Sequence, residues 1–275
     1  MRRAETKLPL VQALALGLLH GPAELLPVSS SAHTTLVPWL AGWQYTRLED
    51  ELRKSFEVAL HAGTGAALAI AMRAELHRSL SQMDGRRAGV LALALAPPTI
   101  AGYLLEGPIE RRLGGPRSIA VGLLAGAVAM ALADIRASSQ DKTERASEDA
   151  GAADGLALGF AQALALMPGV SRSGATLSAA RARGFSRAAA QALSWEAGLP
   201  VILGASVLKG LRLRRAGLRG GQGGALLVGA CAAFVSTLVS ARALRRGTRE
   251  GRPLLGYSLY RCLLAALVIA RGRAQ

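Results

Sequence analysis

Apolar residues in this chain come in blocks, and the length of those blocks constrains the fold more than any other feature. They cover residues 8–19, 56–72, 88–105, 119–133, 155–167, 188–208, 223–244 and 254–270, with polar or basic residues between them. A helix needs about 20 apolar residues to cross a bilayer. The shorter blocks are therefore expected to tilt, to borrow flanking residues or to re-enter. Ala, Leu, Val and Gly dominate the blocks, and aromatics make up only 4% of the chain. Small residues let helices approach closely in lipid. The pattern predicts an all-α, polytopic integral membrane protein with a single membrane domain over residues 1–275. The first block follows Arg2, Arg3 and Lys7, lacks a convincing small-residue cleavage site and is read as a retained membrane helix. Pro97 and Pro98 are expected to break the third block.

The formal net charge is +15, which favours an anionic partner: nucleic acid, lipid head groups or a phosphate substrate. The cations interrupt the apolar blocks, as at Arg86 and Arg87, at Arg212, Arg214 and Arg215, and at Arg245 and Arg246. That placement points to membrane lipids. No nucleic-acid partner is expected, because few aromatics are available for base stacking. Cys231 and Cys262 lie singly inside apolar blocks and offer neither a metal site nor a disulfide framework. Trp39, Trp43 and Tyr45 are expected at the membrane–water interface.

Residues 134–154 form the one long polar stretch, read as a solvated linker between two halves, about 1–133 and 155–275. The halves echo one another. Gln12-Ala13-Leu14-Ala15-Leu16 returns as Gln162-Ala163-Leu164-Ala165-Leu166, and Ser55-Phe56-Glu57 as Ser194-Trp195-Glu196. Between these, Pro27-Val28-Ser29-Ser30-Ser31-Ala32 corresponds to Pro168-Gly169-Val170-Ser171-Arg172-Ser173-Gly174-Ala175. Apolar segments interrupted by Pro and Gly at matching places in two halves point to a site at the repeat interface.

The first loop runs from His20 to His33 and contains Pro22, Glu24, Pro27 and Ser29 to Ser31. Proline disrupts a helix, and backbone freed at membrane depth must be buried in protein or line a wet cavity. Ionisable groups there are functional candidates. In the second loop Arg172 supplies a fork of donors suited to phosphate oxygens. Ser173 and Gly174 leave backbone N–H groups at the start of a helix, itself an anion site. Each feature alone also fits a plain helix cap or surface turn.

Together, residues 17–33 and 168–176 resemble the two signature regions of the undecaprenyl-diphosphate phosphatase family, also called the bacitracin-resistance family. Ser55-Phe56-Glu57-Val58 and residues 194–200 agree in position and order. The resemblance implies interlocked inverted repeats with two re-entrant helical hairpins. It further implies metal-dependent release of phosphate from undecaprenyl diphosphate, with Mg or Ca as the divalent cofactor. The active site would face the periplasm or exterior of the bacterial plasma membrane.

Carried over by position, Glu24 matches the second acid of the family's paired-acid motif. Ser29 and Ser30 match its Ser pair, His33 its following His, and Arg172 its phosphate-binding Arg. The loop residues Ser171, Ser173 and Gly174 join Arg172 in substrate binding. Ser30 is the first candidate nucleophile and Ser29 the second, with water activated by His33 as the alternative. Glu24 and Glu57 are the expected metal ligands. One departure stands out: the family's first acid is here His20, suited to a softer metal or to proton transfer. Glu57 or Glu196 is the expected replacement for the lost charge, unless Glu196 simply pairs with Arg181 or Arg183. The partners expected are a polyprenyl diphosphate lipid and the surrounding membrane lipids, with a homodimer left open. Two other readings stay open: a transporter of prenyl phosphate or a small anion, and a catalytically silent lipid-binding homologue.

Overall fold

The computed structural model describes residues 7–139, 144–216, 223–247 and 253–274. Each apolar block of the sequence lies largely within a helix. The helices are α1 (Leu10–Leu25), α2 (Ser30–Ala41), α3 (Asp50–Ala71), α4 (Arg73–Ser81), α5 (Gly85–Leu113), α6 (Pro116–Ser138), α7 (Ala152–Leu164), α8 (Arg172–Ala182), α9 (Arg187–Ala216), α10 (Gly223–Gly247) and α11 (Leu255–Arg273). No strand occurs among the described residues. Among the described residues, five segments are long and apolar enough to cross a membrane: Gly85–Ile109, Pro116–Ser138, Arg187–Leu208, Gly223–Leu244 and Leu255–Arg273. A sixth is added if α3 and α4 form one broken span. The chain is an all-α polytopic membrane protein. Arg2, Arg3, Asp141 and Lys142 lie outside the described residues, as do the side chains of Arg212, Arg214, Arg215, Arg245 and Arg246.

Proline breaks the helices less than the sequence suggests. Helix α5 runs unbroken through Pro97, Pro98 and Pro108, and α1 runs through Pro22. Pro98 has no N–H for the carbonyl of Ala94, and the Gln162 side-chain amide donates to that oxygen instead, at 3.0 Å. A neighbouring helix thus supplies the missing donor. Gln12, the counterpart of Gln162 in the sequence echo, also serves backbone: its Oε1 accepts from Tyr45 N at 3.1 Å.

The chain forms two compact units, each drawing on both sides of the polar stretch. One comprises Met1–Leu25, His33–Ala74 and Ile202–Leu244; the other comprises Leu26–Ala32, Glu75–Val201 and Arg245–Gln275. In the first, α1 packs on α3, and Leu16, Phe56, Leu60 and Ala233 share the core. A Cβ at Gly17 would meet Gly229 O and Ala232 Cβ, so Gly17 allows α1 and α10 to touch backbone to backbone. In the second unit α5 packs on α7, α7 on α8, and α6 on both α8 and α11. Met130, Leu158, Leu177 and Leu193 form its core.

The polar stretch is not simply a solvated linker. Asp134 and Asp154 are buried. Asp134 accepts from Arg181 Nε at 3.1 Å, Arg187 Nε at 3.0 Å and Leu254 N at 3.1 Å. Asp154 is gripped by Arg145 Nη2 at 2.8 Å and Arg183 Nε at 2.7 Å. Arg145 also stacks over the Phe185 ring, 4.1 Å from its centroid. The described part of the stretch is stitched to the end of α8 because buried carboxylates need paired donors. Tyr45 also departs from expectation. It is buried rather than interfacial, lies edge-on to Phe56, and donates its hydroxyl to Glu57 Oε1 at 3.3 Å.

Candidate functional site

Both serine loops contribute to the second unit, and each ends in a side-chain helix cap. Ser29 Oγ lies 3.2 Å from Ser31 Oγ and accepts from Ala32 N at 3.4 Å. Ser171 Oγ lies 3.2 Å from Ser173 Oγ and accepts from Gly174 N at 3.3 Å. Such caps satisfy one of the orphan donors of the first turn. The residue after each cap begins its helix: Ser30 opens α2 and Arg172 opens α8. Both N-termini carry the partial positive charge that favours phosphate oxygens.

The loops are joined by direct contacts. Ser173 Oγ donates to Leu26 O at 3.2 Å. Arg261, from the middle of α11 and fully buried, donates to Pro27 O at 3.3 Å, Gly122 O at 3.3 Å and Gly169 O at 2.8 Å. One guanidinium therefore holds a carbonyl from each loop. Gly126 and Gly174 leave room for it, since a Cβ at either would meet the Arg261 fork. Gly169, at φ 94°, turns the second loop. Gly198 on α9 plays the same role for Arg172, whose Nη1 would collide with a Cβ there. One turn before Gly198, Ser194 Oγ lies 2.6 Å from Thr176 Oγ1 and ties α9 to α8.

Of the remaining sequence candidates, His20, Glu24, His33 and Glu57 fall in the first unit and Glu196 in the second. His20, Glu24 and His61 each offer a ligand atom, all within 4.8 Å of one another. His20 is only 2% exposed, and its Nδ1 lies 2.9 Å from Thr64 Oγ1. The His20 and His61 rings meet edge to face, with centroids 4.8 Å apart. Glu57 is engaged by Tyr45 and is not a member of this cluster. Glu196 is exposed and lines a cavity of about 240 Å³ together with Arg78, Arg87 and Glu148. Neither expected pairing of Glu196 occurs: Arg181 is bound to Asp134 and Glu144, and Arg183 to Asp154. His33 is buried on α2.

The sequence matches the family profile of Bacitracin resistance protein BacA over residues 13–267. The chain belongs to the BacA family. It is 36% identical to the undecaprenyl-diphosphatase of Geobacter sulfurreducens over 273 residues, covering 95% of this chain and 97% of that protein. It is 35% identical to the undecaprenyl-diphosphatase of Pelobacter propionicus over 275 residues, at 95% and 96% coverage. It is 36% identical to that of Moorella thermoacetica over 269 residues, at 94% and 97%.

In this BacA-family chain the structure adds four residues that the sequence reading missed. His61 lies one helical turn after Glu57, at the i, i+4 spacing that places two side chains on one face of α3. Thr64 lies a further three residues on and contacts His20. Arg261 was readable only as an isolated cation inside an apolar block, a position that marks function or structure but names no partner. Gly198 carried no signal at all, because a glycine's use depends on what faces it. The metal expected from the family resemblance is Mg or Ca, ions that take oxygen ligands. Two imidazoles and one carboxylate are a poor set for either.

Proposed function

We propose that this chain is an undecaprenyl-diphosphate phosphatase, releasing inorganic phosphate and leaving undecaprenyl phosphate for reuse as a lipid carrier. The observation carrying the proposal is the junction of the two serine loops on Arg261, with Arg172 at the start of α8. The names of the BacA-family relatives support the same substrate.

Arg172 and the backbone N–H groups of the first turn of α8 hold the diphosphate oxygens, assisted by Ser171, Ser173 and Gly174. Their charge and fixed orientation offset the negative charge of the transferring phosphoryl group. Ser30 is the favoured attacking hydroxyl. Ser29 is less suited, because its oxygen already caps α2. In the alternative route His33 activates a water for attack on the terminal phosphorus. Glu24 and His20 are the candidate ion-binding and proton-transfer groups. Mg and Ca prefer oxygen ligands, which the two imidazoles beside Glu24 do not supply. The prenyl tail remains among the membrane lipids, and the site opens to the outer face of the bacterial plasma membrane.

The test is phosphate release from C55 diphosphate by purified protein in detergent, with and without chelator, alongside Arg172→Ala and Glu24→Gln. Activity unchanged in both variants removes the site assignment. Lipid bound but never cleaved by the wild-type chain returns the transporter and silent-homologue readings to the front.

A further inference from the structure

We infer that His20, Glu24 and His61 form a binding site for a borderline first-row transition ion, such as Zn²⁺, Co²⁺ or Ni²⁺, in preference to Mg²⁺ or Ca²⁺. The inference deepens the phosphatase reading and takes from it only the expectation that an ion is bound. The donor set carries the choice of ion. Imidazole suits zinc, copper, iron and nickel, whereas magnesium and calcium favour carboxylate, carbonyl and water. Among the described residues this is the grouping of three potential ligands within reach of one another, and two of its members are histidines.

His20 Nδ1 lies 2.9 Å from Thr64 Oγ1, and Thr64 is backed in turn by Thr237, whose Oγ1 lies 3.3 Å from Thr64 Oγ1 and 2.6 Å from Ala233 O. An imidazole engaged by a second group at one ring nitrogen keeps the other for an ion, the usual arrangement of a metal-ligating histidine. The backbone at His61 and beside His20 is held as well. Ser206 Oγ donates to His61 O at 3.1 Å, and Gly21, one residue from His20, packs its Cα against Ser236 and Thr237. All these residues belong to one compact unit.

The competing account is a packed edge-to-face histidine pair with no ion. Direct binding decides between them and does not depend on turnover. The full-length protein in detergent is stripped with chelator and titrated with Co²⁺, read by visible absorption and by elemental analysis. The expected result is one Co²⁺ per chain, displaced by Zn²⁺ but not by equal Mg²⁺ or Ca²⁺. His20→Gln and His61→Gln should each weaken Co²⁺ binding by at least about tenfold, with apo-protein thermal unfolding unchanged. His20→Glu should shift preference toward Mg²⁺. Absence of bound Co²⁺, displacement by equal Mg²⁺, or undiminished binding in His61→Gln overturns the inference. A protein that binds Co²⁺ as expected but releases no phosphate from C55 diphosphate fails the phosphatase reading and leaves this one standing.

Discussion

Ser29 and Ser171 are structural counterparts. Each lies 3.2 Å from the serine two residues on, and each accepts from the backbone N–H three residues on. The correspondence puts Ser30 opposite Arg172 as the first residue of a helix. One backbone design thus presents a hydroxyl in one copy and a guanidinium in the other, a division suited to attacking and holding a phosphate. Arg172→Lys should retain a charge but lose the bidentate fork. Phosphate release should fall by at least about tenfold in Arg172→Lys and further in Arg172→Ala, a loss of ~1.4 kcal/mol or more. Steady-state assays on C55 diphosphate with both variants give the order.

The two caps differ in strain. Ser29 has φ 74°, in the left-handed region that costs a non-glycine residue ~1–2 kcal/mol. Ser29→Gly should relieve that strain while giving up the cap, and Ser29→Ala should give up the cap and keep the strain. Glycine is also a better cap than alanine. Ser29→Ala is therefore expected to be less stable than Ser29→Gly by about 1 kcal/mol. Thermal unfolding of the two variants in the same detergent measures the difference.

Gly198 tests the position of Arg172 without touching its chemistry. Any Cβ at 198 meets the Arg172 fork, so Gly198→Ala should displace the guanidinium. The helix itself should tolerate alanine, which is favoured over glycine inside helices by ~1 kcal/mol. The expected signature is a higher KM for C55 diphosphate, at least about tenfold lower kcat/KM, and no loss of thermal stability. A variant with wild-type kinetics would show that Arg172 does not need that space.

Arg261 joins the two loops, so its replacement should be felt both in stability and in activity. Arg261→Met removes a buried cation but leaves the carbonyls of Pro27, Gly122 and Gly169 without that donor. Unsatisfied buried acceptors cost ~1–3 kcal/mol each. Arg261→Lys keeps the charge as a single point and is not expected to span all three oxygens. Both variants should unfold at lower temperature, with Arg261→Met the worse, and both should lose phosphate release. Unfolding scans and the phosphate assay on the same preparations check this.

The sequence revealed what depends on local pattern. Apolar blocks announced the helices, and the Ser triplet after Pro27 suggested a cap, whereas Ser171-Arg172-Ser173 read equally as a surface turn and proves to carry a cap too. What it hid depends on contacts between distant segments. Pro98 reads as a break until Gln162 is seen to serve Ala94 O. Asp134 reads as linker until Arg181, Arg187 and Leu254 N converge on it. Glu57 gives no sign in sequence of its hydroxyl partner Tyr45, twelve residues away. His61 stands at an informative spacing, but its proximity to His20 joins α3 to α1, a contact that no periodicity within one helix can express.

The polar end of the second unit should respond to acid through Asp154. Burial raises the pKa of this carboxyl, but hydrogen bonds from Arg145, Gly151 N and Arg183 outweigh burial and hold it at about 2, below its ordinary 3.8. A depressed carboxyl pKa contributes stability that is fully present above the unfolded value and is lost as pH falls through the folded one. The window therefore runs from about pH 4 down to about pH 2, and the contribution is about 2 kcal/mol. The Asp154 side chain is only 3% exposed, so solvent screening takes little from that figure. Asp154→Asn should be less stable than wild type at neutral pH and should lose less on acidification. Chemical unfolding at a series of pH values reads the two slopes. Parallel slopes for wild type and Asp154→Asn would mean that another carboxylate dominates the acid response, with Asp134, buried and paired with Arg181 and Arg187, the next to test.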